Sequence, residues 1–389
     1  VDAEVAKVVE RVKLLLPTLR ERSVEGETAR RLSAETVTDL KDTGMTRLLQ
    51  PRRYGGYESH PSPFYDAVLA VASACGSAGW VASVVGVHPW QVALWDDKVQ
   101  AEIWSEDPDT WVSSSYMPGG KLVPCEGGFR LSGRWSFSSG SDHCQWVILG
   151  TMVDNGEGNP PEPRNTLVPR PDYVVEDVWD TVGLRGTGSN DIVVNDVFVP
   201  EYRTLKLLDM FTWNSPGRAV NTGPLYKMPF ATLFSYAITG PIIGMAEGML
   251  AEDIEYTKKR VSKVWGKAIE DPYTVAAIGE AAREIDACRL QLFRNLDDMY
   301  ATVDGGGRLS MDQRARARRD QVLGTQRAVA ALDDIYDRAG AGAIAMSNPM
   351  QRLWRDAHAA KHHTANTLER SLFSYAAVAM GLDPTEAMV

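Results

Sequence analysis

Val5, Val8, Val9, Val12 and Leu16 recur at three- and four-residue spacing among charged residues, which predicts an amphipathic helix at the start of the chain. A second helix is predicted in Ser33-Ala-Glu-Thr-Val-Thr-Asp-Leu-Lys-Asp-Thr-Gly44, where Ser33 can cap, Glu35 and Asp39 lie early, and Gly44 ends the run. Pro51-Arg52-Arg53-Tyr54-Gly55-Gly56 reads as a turn. Two alanine-rich apolar stretches follow, roughly residues 62–75 and 77–105, and both predict helix. Residues 1–111 therefore read as an N-terminal helical domain.

Between residues 112 and 208 the period shifts to short apolar runs bounded by turn residues. Phe129–Ser132, Trp146–Leu149, Tyr173–Val175 and residues 192–199 predict strands, which suit a small antiparallel barrel or sandwich. The insertion DNGEGNPPEP, from Asp154, reads as a surface loop. Helices then return over residues 231–263, 272–303, 311–339 and 349–380, separated by Asp271-Pro272, Gly305-Gly306-Gly307 and Asn348-Pro349. Four such helices with short connections predict a bundle within residues 209–389. Their apolar faces are wider than one bundle buries, so subunits are expected to pack bundle against bundle. The connection Asp209–Met228 is too long for a simple link and is a candidate lid.

Composition narrows the function. With 41 basic against 51 acidic residues in 389, the formal charge is -10, and no basic footprint favours nucleic acid. Cys75, Cys125, Cys144 and Cys288 show no C-x-x-C spacing, which argues against a zinc site or disulfide framework and for free buried thiols in a reducing cytoplasm. The charged first helix is unlike a signal peptide, and no window reads as an uncharged membrane span.

The most informative passage is Asp180–Pro200. Gly183, Gly186 and Gly188 punctuate an irregular stretch that runs into Ile192-Val193-Val194 and Val197-Phe198-Val199 and is closed by Pro200. The string G-x-R-G-T/S-x-S with a D-V-x-V-P ending resembles the substrate-side strands of the acyl-CoA dehydrogenase superfamily. Pro51-x-x-Tyr54-Gly55-Gly56 is similar to that superfamily's P-x-x-Y/F-G-G turn, and Leu131–Gly140 to its L-x-G-x-K-x-W-I-T-x-G flavin strand. The resemblance covers nearly the whole chain. It implies a mostly α fold with a central β domain and a C-terminal four-helix bundle, assembled as a homotetramer.

One departure separates this chain from the thioester dehydrogenases. Where they carry R-D and then a Y-E-G motif with a catalytic Glu, this chain has Arg355-Asp356 and then Thr364 at the Glu position. A threonine hydroxyl cannot abstract a proton at neutral pH. An acyl-CoA dehydrogenase or oxidase with a base relocated to another helix is the alternative. Trp80 and His88 lie eight residues apart, Ser114 follows 26 later, Ser139 another 25 later, and His363 comes near the end. This series resembles the group D two-component flavin-dependent monooxygenases, both those that act in bacterial steroid-ring degradation and the p-hydroxyphenylacetate hydroxylases.

The resemblance implies an oxygenase component that ortho-hydroxylates a phenol, such as a secosteroid, to a catechol with reduced, diffusible FMN, or FAD, and O2. It implies that Phe137 and Trp80 wall the flavin, with Trp135, Ser138, Gly140 and Thr364 beside it, and that Ser139 meets flavin N5. His363 would manage a proton near the ring. His88 with Ser114 would serve the phenol oxygen. Arg260, with Lys259 and Lys263 as alternatives, would meet the flavin phosphate or substrate. No G-x-G-x-x-G unit follows a strand, so a separate NADH-dependent flavin reductase is implied.

The residues alone also support plainer readings. His88 beside Pro89 and Trp90 reads as a packed helix-end histidine, Ser113-Ser114-Ser115 as strand entry, and Trp135, Trp90 and Trp95 as core. His358 and His362 mimic a metal pair without a third ligand. His143 reads equally as structural or functional, and Asp180 with Arg185 as a brace.

Overall fold

The structure is a computed structural model that describes residues 2–156, 160–262, 266–386 and Val389. Helix α1 (Ala3–Ala29) buries Val5, Val8 and Val12 on one face, and α2 (Ala34–Thr43) starts where the Ser33 hydroxyl accepts from the Thr36 N–H and stops at left-handed Gly44. Helices α3 (Pro61–Ala74), α4 (Gly76–Val92) and α5 (Asp97–Trp104) follow. Every residue of α4 is buried. A helix that is apolar all round belongs inside a core rather than on its surface.

The central sheet comprises β1 (Val112–Cys125), β2 (Gly128–Ser138), β3 (Trp146–Val153), β4 (Glu162–Pro169), β5 (Val174–Glu176), β6 (Asn190–Pro200) and β7 (Thr204–Lys206), ordered β5-β6-β2-β1-β3-β4-β7. The expected all-antiparallel arrangement fails at one ladder, because β1 and β3 run parallel. After the β1-β2 hairpin the chain crosses over and enters β3 on the far side of β1, which fixes that direction. The register of β1 shifts between Ser115 and Gly120, so Tyr116–Gly119 pair with neither neighbour. At Gly150 of β3 a Cβ would lie 2.0 Å from the Tyr116 carbonyl oxygen, so only glycine fits beneath this bulge.

After α6 (Leu207–Thr212) comes the long α7 (Phe230–Lys259), which packs on α3 and α4 and on α8 (Pro272–Asp304) and α9 (Met311–Ala339). Contrary to the sequence reading, α7 is long and apolar enough to cross a membrane, but 89% of its most apolar window is buried inside this fold. Its hydrophobicity is that of a core helix.

The fourth bundle helix is broken. Helix α10 (Pro349–Lys361) ends, a single turn covers Thr364–Asn366, and α11 (Leu368–Ala379) resumes. The Asn366 amide donates to the Ala360 carbonyl at 3.2 Å, and the His363 ring accepts from the Ala365 N–H at 3.1 Å, so side chains satisfy the backbone groups that the break exposes. Cys75, Cys144 and Cys288 are buried as expected, whereas Cys125, on the β1-β2 hairpin, is exposed.

Candidate active site

A cavity of about 1080 Å³ lies between α4, the sheet, α7 and the α10-α11 break. Its wall includes Trp80, Ser114, Phe137, Ser139, His363 and Thr364, residues from four separate elements that the sequence singled out. The Trp80 indole donates to the Ser139 hydroxyl at 3.0 Å. Ser139 is in turn 2.7 Å from the Ser189 hydroxyl, Ser189 is 2.7 Å from the Thr187 hydroxyl, and Thr187 donates to the Leu184 carbonyl at 2.8 Å.

The last acceptor sets the direction of this chain. A carbonyl can only accept, so the Thr187 proton goes to Leu184, the Ser189 proton to Thr187 and the Ser139 proton to Ser189. Ser139 then spends its proton on Ser189 and one acceptor position on Trp80, and its remaining lone pair is left to accept a hydrogen bond from within the cavity.

His363 stands beside this group, its ring centroid 6.0 Å from that of Trp80. Burial, with the Arg318 charge as a lesser cause, pushes its pKa down to about 4. The ring is therefore neutral at pH 7, and because Nδ1 accepts from Ala365 its proton resides on Nε2. Phe137 is 60% exposed at the cavity mouth, edge-on to Trp179 with centroids 5.2 Å apart.

The glycine-rich passage is braced as the sequence suggested. Arg185 bridges to Asp180 at 2.7 Å and donates to the Thr181 carbonyl. The Leu184 N–H donates to buried Asp356 of α10 at 2.6 Å, and burial pushes that carboxyl's pKa up to about 7 against the opposing pull of the bond. A Cβ at Gly183 would meet the Arg355 carbonyl oxygen at 2.1 Å, so the passage lies directly on α10.

Several expected residues do not reach the cavity wall. Trp135 points into the sheet's own core and donates to the Gly150 carbonyl, because alternation along β2 puts it on the face opposite Phe137's neighbour Ser136. Ser138 is fully buried, and Gly140 forms the left-handed turn after β2, its N–H held by the Thr187 carbonyl. Arg260 follows the end of α7 and donates to the Arg338 carbonyl, far along the bundle from the cavity lining. Lys263 lies outside the described residues. His88 is fully buried, bonded through Nδ1 to the Val112 carbonyl and standing behind Tyr116. His358 faces Trp354 and Asp333, and His143 is absent from the cavity wall.

Sequence reasoning missed Tyr116, Trp179, Ser189, Phe230, Phe234 and Arg318 on the wall. Ser189 was within the highlighted passage, but the aromatic residues carry only core-like signals. Among the described lining residues Glu386 is the sole carboxylate, and it is ion-paired with Arg318 at 2.8 Å. No free carboxylate is present there for abstracting a proton beside a thioester. Leu207, just before the long connection, and Phe211, within it, also line the cavity.

A large apolar cavity with an acceptor hydroxyl fixed between aromatic walls defines a flavin oxidoreductase site on this fold. Residues 236–367 match the acyl-CoA dehydrogenase C-terminal domain family. The chain is 45% identical to the flavin-dependent monooxygenase oxygenase subunit HsaA of Rhodococcus jostii RHA1, over 98% of this chain and 100% of that protein. The crystal structure of 3-HSA hydroxylase from Rhodococcus sp. RHA1 superposes with a TM-score of 0.95 at 45% identity, covering 98% of this chain and 99% of the other. XiaF from Streptomyces sp., in complex with FADH2 and glycerol, gives 0.92 at 27% identity over 99% and 98% of the two chains. The chain belongs to the group D flavin-dependent monooxygenases of the acyl-CoA dehydrogenase superfamily, as an oxygenase component served by a separate reductase.

The residues present fit a reduced flavin. Its N5–H is a donor, and the free lone pair of Ser139 would accept from it, while Trp80, Phe137 and Trp179 would offer it apolar faces. When bound, reduced flavin supplies the electrons that activate O2 for hydroxylation. Around such a ring the chain's own side chains would exclude water, orient it and hold the N5 proton in place.

Proposed function

We propose that this protein ortho-hydroxylates a bulky phenol of the secosteroid class to a catechol, using reduced FMN delivered by an NADH-dependent reductase. The observation that carries this reading is the cavity's shape and lining. Its volume of about 1080 Å³ accommodates both a flavin ring system and a multi-ring substrate, with the Trp80-Ser139-His363 group on one stretch of wall and Tyr116, Phe230 and Phe234 on another. The names of the 45%-identical relatives support the same class of chemistry.

In this reading Ser139 accepts from flavin N5–H, Trp80 and Phe137 wall the ring, and neutral His363 donates through Nε2 to the reacting oxygen. Thr364 lines the flavin side, and Ser114 and His88 serve the substrate hydroxyl, since a phenolate is the better nucleophile at its ortho carbon. The enzyme works in the cytoplasm as a homotetramer whose bundle faces pack together. The test is stopped-flow mixing of the protein with reduced FMN and then with oxygenated buffer, with and without a phenolic secosteroid. Catechol formed in near-stoichiometric yield supports the reading. Flavin oxidation that releases only hydrogen peroxide sinks it.

A further inference from the structure

The cavity runs across the sheet and meets successive strands at different places. Ser139 follows β2, Ser114 lies on the central strand β1, and Asn165 lies on β4, on the other side of β1 from β2. Ser139 and Asn165 thus line opposite flanks of the same cavity. Alternation decides which way Asn165 faces. Leu167 and its ladder partner Ile148 pack into the core shared with the helices, whereas Val168, Val147 and Leu149 pack into the sheet's own core. Asn165, two residues before Leu167, shares its face and is directed towards the helices and the cavity.

Asn165 is only 3% exposed, and among the described residues no protein group bonds its side-chain amide. Its partner across the β3 ladder is Gly150, which has no side chain, and its partner on β7 is the apolar Leu205. A buried amide in such surroundings has given up water without a replacement, which is costly. The wall around it is largely apolar, with Met152, Pro163, Leu207 and Phe211. The neighbouring cation, Arg164, is held through its guanidinium by Glu162 at 2.6 Å and Thr204 at 2.9 Å. Its charge is already matched, so this flank suits an uncharged oxygen better than a carboxylate.

Two strand spacings across the sheet and two residues along it separate Ser114 from Asn165, roughly 12 Å between Cα atoms. A multi-ring phenol whose hydroxyl lies at Ser114 therefore brings its far end to β4. We propose that Asn165 is a specificity-determining residue that donates from Nδ2 to an uncharged carbonyl oxygen, a ketone, at the end of the substrate remote from its phenol. This deepens, and rests on, the reading that Ser114 serves the phenol oxygen of a secosteroid. The ketone supplies the acceptor that the buried amide lacks, and a phenol without it leaves that amide unpaired in an apolar lobe.

The test is calorimetric titration of the protein saturated with reduced FMN in the absence of oxygen, so that binding is read apart from hydroxylation. Two phenolic secosteroids are compared, one with a ketone in the ring remote from the phenol and one with CH2 in place of that carbonyl. Wild type is expected to bind the ketone about tenfold more tightly, the effect of one hydrogen bond. Asn165→Leu is expected to bind the two equally, and Asn165→Ala does the same should the leucine variant not fold. The ratio of the two affinities is the readout, because a purely structural role would weaken both ligands alike. Equal binding by wild type, or a preference that survives both substitutions, overturns the proposal and leaves phenol hydroxylation standing. Failure of wild type to bind either ligand overturns it together with the secosteroid reading.

Discussion

The Trp80 indole N–H lies 3.0 Å from the Ser139 hydroxyl oxygen, and this bond ties the innermost helix of the N-terminal half to the end of strand β2. It also fixes what Ser139 can do, because one acceptor position is taken and the proton is sent towards Ser189.

Removing the hydroxyl should therefore damage coupling more than flavin turnover. In Ser139→Ala the ratio of hydroxylated product to hydrogen peroxide is expected to fall about tenfold, the effect of losing a hydrogen bond worth roughly 1.4 kcal/mol. Ser189→Ala should move the same ratio in the same direction by less, since Ser139 keeps its oxygen but loses the partner that orients its proton. Peroxide and product assayed from a single reaction check both, and an unchanged ratio in Ser139→Ala would remove it from the site.

His88 makes stability depend on pH with a definite sign. An unfolded histidine has a pKa of about 6.5, whereas burial holds folded His88 down to about 4. Between those values the unfolded chain binds a proton that the folded one refuses, so this residue's contribution is lost as pH falls through the window. Asp356, raised to about 7, acts oppositely and loses its contribution as pH rises towards that value. Urea unfolding from pH 7 to 4.5 should show His88→Gln lowering the slope of stability against pH by up to about 1.4 kcal/mol per unit relative to wild type. Parallel curves would mean that His88 is not held neutral.

Arg318 and Glu386 form an ion pair in which the side chains are only 3% and 9% exposed. Arg318 also donates to the Ala365 carbonyl at 2.6 Å, and Glu386 accepts from Ser371 at 3.2 Å. Breaking one partner of such a pair strands the other charge, so Glu386→Gln is expected to cost about 3 kcal/mol. A chemical-denaturation midpoint equal to wild type would show that water reaches Arg318 freely.

Gly183→Ala should be poorly tolerated although the residue is a loop glycine with negative φ. The added methyl would collide with backbone of α10 rather than with a movable side chain. Separation of the passage from α10 is expected to cost at least about 3 kcal/mol and to disturb the Leu184-Asp356 bond. Thermal unfolding measures the first, and the coupling ratio the second.

Much of this architecture was legible in the chain. The Ser33 cap, the Gly44 stop and the helical spacing from Val5 to Val12 gave the first helices, and the glycine passage pointed to the site. Of β1 only the entry at Ser113-Ser114-Ser115 was legible, because Pro118, Gly119 and Gly120 carry little strand propensity and long-range pairing decides the rest of its structure. The break after Lys361 escaped too. Ala359, Ala360 and Ala365 favour helix locally, and the interruption depends on Asn366 and His363 finding backbone partners. Trp135 and His88 were correctly placed in their elements, but which side of a strand or helix meets a cavity is set by tertiary packing.

Trp80, Ser139 and His363 come from a helix, a strand end and a turn between helices, so their mutual distances record how three layers sit on one another. Warming that loosens this seating by a fraction of an ångström would let oxygen be wasted while circular dichroism still reports a native fold. The temperature at which peroxide begins to leak is thus expected to lie below the melting temperature, and the gap between them gauges how tightly the layers are clamped.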